Sequence, residues 1–211
     1  MPRIFDVLLG RTKPVQANLD QLFGLVSAQI TLQTAEALIP TGQAGVCYKP
    51  VAGRSFADTS SETSQLLGLG DGAAGASLAG SVAASVKQQD DQYGYHWVVQ
   101  TVPDFQELVN QVHLVNSTLQ DNGYGPQLLC SVCAFHADPT AAPASGPAGP
   151  PLVYLVYLYK RGTFYPFVPA PGAGEHRDND TELRLQTVLA EDLKIEPDKE
   201  RWMALWGLPI H

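Results

Sequence analysis

Two short motifs in this chain have the spacing of known chemical sites. The first is Gly70-Asp-Gly-Ala-Ala-Gly75, which has the G-x-G-x-x-G spacing of dinucleotide-binding loops. Such a loop works where it follows a strand and opens a helix, because amides at the helix N-terminus bind the pyrophosphate. Here the motif follows a predicted helix and lies in a glycine- and alanine-rich stretch. The sequence therefore does not favour nucleotide binding, and no cofactor is predicted.

The second motif is Cys130-Ser-Val-Cys133, a C-x-x-C. It lies in a predicted strand, where residues three apart point to opposite faces of the sheet. That geometry suits neither a zinc site nor a redox turn, and no second C-x-x-C completes a set of four ligands. We expect both cysteines to be small buried residues, and all three cysteines of the chain, including Cys47, to stay reduced.

The histidines show no catalytic or metal-binding pattern. They are scattered along the chain at His96, His113, His136, His176 and His211. The H-E-x-x-H pattern of zinc peptidases and the G-x-S-x-G pattern of serine hydrolases are both absent from the sequence. The helical spacing of His113, Glu107 and Asp121 does not place all three on one face. No catalytic residue and no metal ligand is predicted.

A basic turn followed by aromatic residues is the best candidate for a partner-binding site. The segment reads Lys160-Arg-Gly-Thr-Phe-Tyr-Pro-Phe167, and two tryptophans near the C-terminus complete the set. Exposed aromatic residues beside cations are typical of interface hot spots. The alternative is that Phe164 and Phe167 close one end of the core while the two cations are solvated. The candidate residues are Lys160, Arg161, Thr163, Phe164, Tyr165, Phe167, Trp202 and Trp206.

The element that anchors the fold is Leu152–Lys160, a run rich in Val, Leu and Tyr. β-branched and aromatic residues bounded by Gly and Pro are typical of a strand. Because side chains alternate along a strand, Tyr154 and Val156 would share one face and Leu155 and Tyr157 the other. Both sets are mostly apolar, which predicts an interior strand covered on two sides.

The clearest helix begins after Asp104, which is an N-cap residue with Glu107 three positions on. Its apolar stripe is Phe105, Leu108, Val112, Val115 and Leu119, and Gly123 is placed to end it. Other helices are predicted at 18–26 and 30–38 (one broken or two short), 60–67, 180–193 and 198–205. Further strands are predicted at 45–50, 81–88, 93–102 and 127–135, with a turn at 89–92 between the middle two.

This order of elements predicts a single α+β domain over residues 1–211, mainly an antiparallel sheet with helices packed on it. Residues 127–136 and 152–160 are expected to be antiparallel neighbours. Two stretches rich in small residues or proline, near 68–80 and 138–151, are predicted to be flexible loops.

The charge and hydropathy of the chain limit the kinds of partner that it can bind. The formal net charge is −8, which argues against nucleic-acid binding because phosphate contacts need clustered Lys and Arg. Half of that excess lies in residues 175–201, which form either a solvated face or an acidic docking surface. No apolar run is long enough to span a membrane, so a cytoplasmic protein is predicted. Residues 1–13 mix apolar and basic side chains, and either fold back on the core or contact an anionic membrane at its inner face.

Several motifs in order resemble the PspAB family of PspA-associated proteins, which is linked with the phage-shock membrane-stress system. They are Phe5-Asp6-Val-Leu-Leu-Gly-Arg-Thr-Lys-Pro14, Val115-Asn-Ser-Thr-Leu-Gln120, Gly123-Tyr-Gly-Pro-Gln-Leu-Leu-Cys-Ser131 and the ending from Ile195 to Pro209. The resemblance implies a PspA-type coiled-coil membrane-remodelling protein as partner or functional neighbour. The stretches near 68–84 and 138–151 fit the family least well.

The leading hypothesis is thus a non-enzymatic accessory protein that acts through protein–protein contact. A peptide-binding chaperone-like domain, loosely analogous to type III secretion chaperones and YbjN-like proteins, is the alternative, and a homodimer across the sheet would favour it. An uncharacterised hydrolase is the third reading. It would need a deep pocket lined by several of His96, His113, Glu107 and Asp104.

Overall fold

The computed structural model describes residues 17–49, 61–62, 65, 85–141, 152–172 and 174–211. Those residues form an α+β fold in which six antiparallel strands make one sheet and three helices pack on it, as predicted. The strands are β1 (Leu38–Tyr48), β2 (Ser85–Asp90), β3 (His96–Thr101), β4 (Leu128–Ala137), β5 (Val153–Leu158) and β6 (Thr163–Phe167). The helices are α1 (Gly24–Glu36), α2 (Phe105–Leu119) and α3 (Asn179–Val188).

The strand order is β2-β3-β1-β4-β5-β6, which places β1 at the centre. Val46 on β1 lies opposite Val98 on β3 and Ser131 on β4. The run that anchored the prediction forms β5 between β4 and β6, so the expected interior strand is confirmed. Its antiparallel pairing with β4 is confirmed as well.

The helices cover one face of the sheet, which we call the helix face. The side chain of Asp104 accepts a hydrogen bond of 2.8 Å from the amide of Glu107 and so caps α2 as predicted. All five residues of the predicted apolar stripe of α2 are buried. They pack in one core with α1, with Leu185 of α3 and with Leu155 and Tyr157 of β5. The helical periodicity of the apolar residues in α2 therefore predicted correctly which of its side chains pack against the sheet.

The opposite face, which we call the tail face, carries the alternate strand residues, among them Trp97, Tyr154 and Val156. It is covered by residues 202–211, here named the C-terminal segment, which has no regular secondary structure. Trp202, Leu208 and Ile210 of that segment are buried against the strands. The alternation predicted for β5 is confirmed, because its two sets of side chains belong to two separate cores.

Hydrogen bonds to side chains hold the C-terminal segment in place. Buried backbone groups need partners, and an irregular segment cannot supply them to itself. The bonds are Tyr154 Oη to Ile210 O (3.0 Å), Tyr165 Oη to Met203 O (2.9 Å), Gln89 Nε2 to Pro209 O (3.3 Å) and His211 N to Gln43 Oε1 (3.0 Å). Strands distant in sequence therefore fix the path of the last ten residues.

The boundary between the first helix and the first strand was predicted wrongly. A 3₁₀ turn (Leu19–Phe23) leads into α1 without a break, and Ala37 ends the helix in the left-handed conformation with φ 52°. The strand then starts at Leu38 and runs through Pro40, not at residue 45. Proline is tolerated there because β3 pairs only from Gln43 onward and the β1–β4 register shifts after Pro40.

Three other boundaries also differ from the prediction. The turn between β2 and β3 lies at 91–95 and not at 89–92, so Tyr93 and Tyr95 belong to the turn. Helix α3 ends at Val188, and the predicted helix at 198–205 is only a 3₁₀ turn at Lys199–Arg201.

The predicted helix at 60–67 is described only at residues 61, 62 and 65. Residues 1–13, the G-x-G-x-x-G motif with the loop near 68–80, and residues 142–151 lie outside the described residues.

Candidate binding site

The tail face contains an apolar cavity at the end of the sheet where β1 finishes and β3 begins. Its volume is about 300 Å³. Its floor consists of side chains that five strands or their ends direct to this face: Cys47, Trp97, Leu129, Cys130, Leu158 and Tyr165. Residues of the C-terminal segment form its wall: Met203, Ala204, Leu205, Trp206 and Leu208. The cavity thus lies between the sheet and the segment that covers it.

An aromatic turn forms the rim of the cavity. Tyr93 and Tyr95 line it and are 55% and 38% exposed, and Met203 opposite them is 60% exposed. Asp91 fixes this turn, since Oδ1 accepts the amides of Tyr93 (2.8 Å) and Tyr95 (3.0 Å). Its Oδ2 accepts the indole N–H of Trp97 at 3.0 Å. A single carboxylate therefore orients the rim and the floor together.

Two thiols lie on the floor of the cavity. Cys47 on β1 and Cys130 on β4 are directly opposed, and both are free. A hydrogen bond to Cys130, then burial, raises the pKa of the Cys47 thiol far above its usual range. Cys133 lies in the core of the helix face, where burial raises its pKa to about 12. The expectation that the C-x-x-C thiols point to opposite faces is confirmed.

The predicted partner-binding turn lies next to the cavity, since Leu158 of the floor is two residues before Lys160. Lys160 is exposed, and its Nζ donates to the carbonyl of Pro126 at 2.9 Å. Gly162 adopts a φ of 63° that favours glycine, which allows the tight turn into β6. The basic turn is thus a surface feature, as predicted for Lys160 and Arg161.

Arg161 is bound to a buried carboxylate. Its Nε and Nη2 each donate to Glu196 at 3.1 Å, and the hydroxyl of Thr163 donates to the same carboxylate at 2.6 Å. The Arg161 hydrogen bonds lower the pKa of Glu196 to about 2, with a further contribution from Thr163. Glu196 and Thr163 are buried, so this group joins β6 to the chain before the C-terminal segment.

The aromatic residues of the predicted site are not exposed, which corrects that part of the hypothesis. Phe164, Tyr165 and Phe167 are all buried, Phe164 on the helix face and the other two on the tail face. The sequence pattern of proline and aromatic residues at the end of a strand does not distinguish residues that are exposed to solvent from residues that are buried in the two cores. Trp202 is also buried and stacks on Tyr165 at 5.9 Å between ring centroids.

Trp206 is partly exposed and lines the cavity. Of the predicted partner-binding residues, Lys160, Arg161 and Trp206 are therefore accessible at the surface, and their binding role stays a prediction. The rim residues Tyr93, Tyr95 and Met203 were not predicted. The sequence Asp91-Gln-Tyr-Gly94 could have predicted this turn. An Asp with a Gly a few residues later is typical of a turn in which the side-chain oxygen of Asp accepts backbone hydrogen bonds.

The groups considered for hydrolysis do not meet at the cavity. His96 Nδ1 lies 2.5 Å from Asp90 Oδ1 and its ring is on the helix face beside Tyr48. His113 stacks on Phe23 at 4.9 Å, and Asp104 is used as the cap of α2. Over the residues that the structure describes, no group of three His, Cys, Asp or Glu side chains is arranged to hold a metal ion.

The fold and the cavity together define an α+β protein with an apolar cavity beside a basic turn. The chain belongs to the family of PspA associated protein B, whose model matches residues 2–210. This confirms the resemblance noted in the sequence. No curated protein and no solved structure gives a significant match. Within the described ranges no helix is long and apolar enough to cross a bilayer.

Proposed function

We propose that this chain is a non-enzymatic accessory protein of the phage-shock membrane-stress response, and that it acts by contacting a PspA-type membrane-remodelling protein. Membership of the PspA associated protein B family supports the association. The observation that carries the contact is the open apolar cavity with its exposed aromatic rim. Exposed apolar groups of this kind are typical of protein interaction sites.

The partner surface that fits this site is an amphipathic helix, the element from which a coiled coil is built. An apolar side chain of that helix enters the cavity of about 300 Å³ and contacts Tyr93, Tyr95 and Met203 at the rim. This is the helix-in-groove mode of recognition, in which one or a few anchor residues supply most of the affinity.

Lys160 supplies the charged part of the contact. Arg161 is already paired with Glu196, whereas the Lys160 ammonium has three N–H donors and uses one on Pro126. Its remaining donors face solvent, so an acidic residue beside the apolar anchor of the partner helix pairs with it. A charge at the edge of an interface, such as Lys160, increases the rate of association more than it increases the affinity.

The test is the binding of purified PspA to matched surface variants. Met203→Glu places a charge at the cavity rim, and Ile30→Glu places the same charge on α1, at a residue with nearly the same exposure (60% and 61%). We expect Met203→Glu to weaken binding at least about tenfold, which corresponds to about 1.4 kcal/mol, and Ile30→Glu to leave it unchanged. Equal affinities for both variants and the wild type would exclude the cavity as the contact.

Lys160→Glu separates the basic turn from the cavity. We expect this variant to slow association with PspA, most strongly at low salt, since it replaces a positive charge at the edge of the contact by a negative one that repels the acidic partner residue. An unchanged association rate would exclude the turn as part of the contact, whatever Met203→Glu does.

A peptide-binding chaperone-like role is the second candidate, and the same cavity favours it. An apolar pocket with a flexible methionine at its rim accepts varied apolar side chains. This role would be favoured if unrelated amphipathic peptides bind as tightly as PspA does and if Met203→Glu abolishes their binding.

Two further partner predictions remain. Sedimentation tests whether the chain forms a homodimer, and vesicle binding tests whether the N-terminal residues contact the inner face of the membrane.

A further inference from the structure

Two cysteines on the cavity floor form a pair that neither the family assignment nor the proposed contact uses. Cys47 and Cys130 are register partners in the β1–β4 pairing. Directly opposed residues of antiparallel strands have Cα atoms about 4.5–5.5 Å apart. A disulfide needs Cα atoms about 4.4–6.8 Å apart, so the backbone already has the spacing that the bond requires.

The side chains also face each other. Both residues lie on the tail face, where they belong to the same apolar core and line the same cavity. Cys133, the other cysteine of the C-x-x-C motif, lies in the core of the opposite face. The sheet therefore separates the two members of the motif and instead brings Cys130 together with a cysteine 83 positions earlier (130 − 47).

Small reagents can reach this pair. Cys47 and Cys130 are only 3% and 6% exposed, but both line the cavity of about 300 Å³. Cys133 is 1% exposed and does not line it. The cavity is wide enough for a small peroxide, and the two thiols are neighbours on its floor, which favours an intramolecular reaction.

We propose that Cys47 and Cys130 are an oxidation site that forms a reversible intramolecular disulfide with oxidants of the hydroperoxide class. The sulfur of one thiol attacks the peroxide, an S–O bond forms while the O–O bond breaks, an alcohol (or water) leaves with the thiol proton, and that cysteine becomes a sulfenic acid. The sulfur of the other thiol then attacks the oxidised sulfur, the S–O bond breaks and water leaves. Two thiols are oxidised to one disulfide, and one peroxide is reduced.

The experiment uses the purified full-length protein treated with hydrogen peroxide, with iodoacetamide labelling and peptide mass spectrometry before and after reduction. We expect a Cys47–Cys130 cross-linked peptide that reductant removes, while Cys133 stays a free thiol. Cys133→Ala forms the same bond, whereas neither Cys47→Ala nor Cys130→Ala forms it.

Three outcomes would overturn the proposal. They are full labelling of both cysteines in the peroxide-treated wild type, a disulfide that includes Cys133, and a bond found only between two molecules. The wild-type measurement decides without any variant, so a Cys47→Ala protein that fails to fold does not affect it. Because the readout is a covalent bond and not PspA binding, this proposal and the proposed function fail separately.

Discussion

The two faces of the sheet are covered by different kinds of structure. Helices α1, α2 and α3 cover the helix face, and their backbone hydrogen bonds are satisfied within each helix. The C-terminal segment covers the tail face, where tyrosine and glutamine side chains from the strands bond its carbonyls. One cover forms most of its backbone hydrogen bonds within itself, and the other depends on side chains of the sheet for its hydrogen bonds.

This difference explains where the cavity lies. Helices pack on a sheet with side chains that interlock to interior density. An irregular segment held at a few points, such as Ile210 and Met203, leaves space between those points. The helix face is therefore the closely packed side of the sheet, and the cavity lies on the tail face.

The strongest test of this comparison is Leu108→Ala on the helix face. Leu108 is fully buried in the core that joins α2 to the sheet. We expect a loss of about 2–5 kcal/mol in the free energy of unfolding, measured by denaturant titration. The control is Leu114→Ala on the same helix, where Leu114 is 50% exposed and the loss should stay below about 0.5 kcal/mol. Equal losses for the two variants would contradict the assignment of the faces.

An acid titration tests the joint between β6 and the tail face. The pKa of Glu196 falls from 4.5 to about 2 on folding, chiefly because of Arg161. A lowered pKa stabilises the folded state fully above pH 4.5, and this contribution disappears as the pH falls toward 2. Thermal unfolding should therefore show that the melting temperature falls less between pH 6 and pH 2 in Glu196→Gln than in the wild type.

The control for this titration is Glu200→Gln, which removes an exposed carboxylate close by in the chain. It should keep the wild-type pH dependence. If Glu196→Gln and the wild type lose stability in parallel over this range, the ion pair does not contribute as described.

The smallest effect is expected for Tyr154→Phe, which removes the hydroxyl that bonds Ile210 and keeps the ring. We expect a loss of about 1 kcal/mol and faster amide hydrogen exchange in residues 208–211, with exchange in α2 unchanged. Tyr93→Phe is the control, because it removes a hydroxyl whose bond to Glu175, at 3.4 Å, lies at the surface. Uniformly faster exchange over the whole protein would mean that the C-terminal segment does not open independently.

The parts of the fold that were predicted correctly are those whose causes lie within a few residues. The cap of α2 and its apolar stripe are local patterns, and so is the alternation that assigned Tyr154 and Leu155 to opposite faces. The α+β class and the β4–β5 pairing followed from the order of such segments. The wrong boundaries are also local in origin, since nothing in the sequence near Ala37 marks its left-handed conformation.

The cavity could not be predicted because its residues meet only in three dimensions. Cys47, Cys130, Leu158 and Met203 come from four distant parts of the chain. The ion pair of Arg161 with Glu196 links residues 35 positions apart, and no spacing rule indicates it. The aromatic residues of β6 were identified as important, but sequence alone did not show that they are buried.

The path of the C-terminal segment also determines the order of events during synthesis. Every strand of the described sheet leaves the ribosome before residues 202–211 do. Until those residues emerge, Trp97, Tyr165 and Phe167 remain uncovered on a sheet that is otherwise complete. A nascent chain at that stage presents an exposed apolar surface, so molecular chaperones should bind it most strongly after β6 has emerged and before residues 202–211 have.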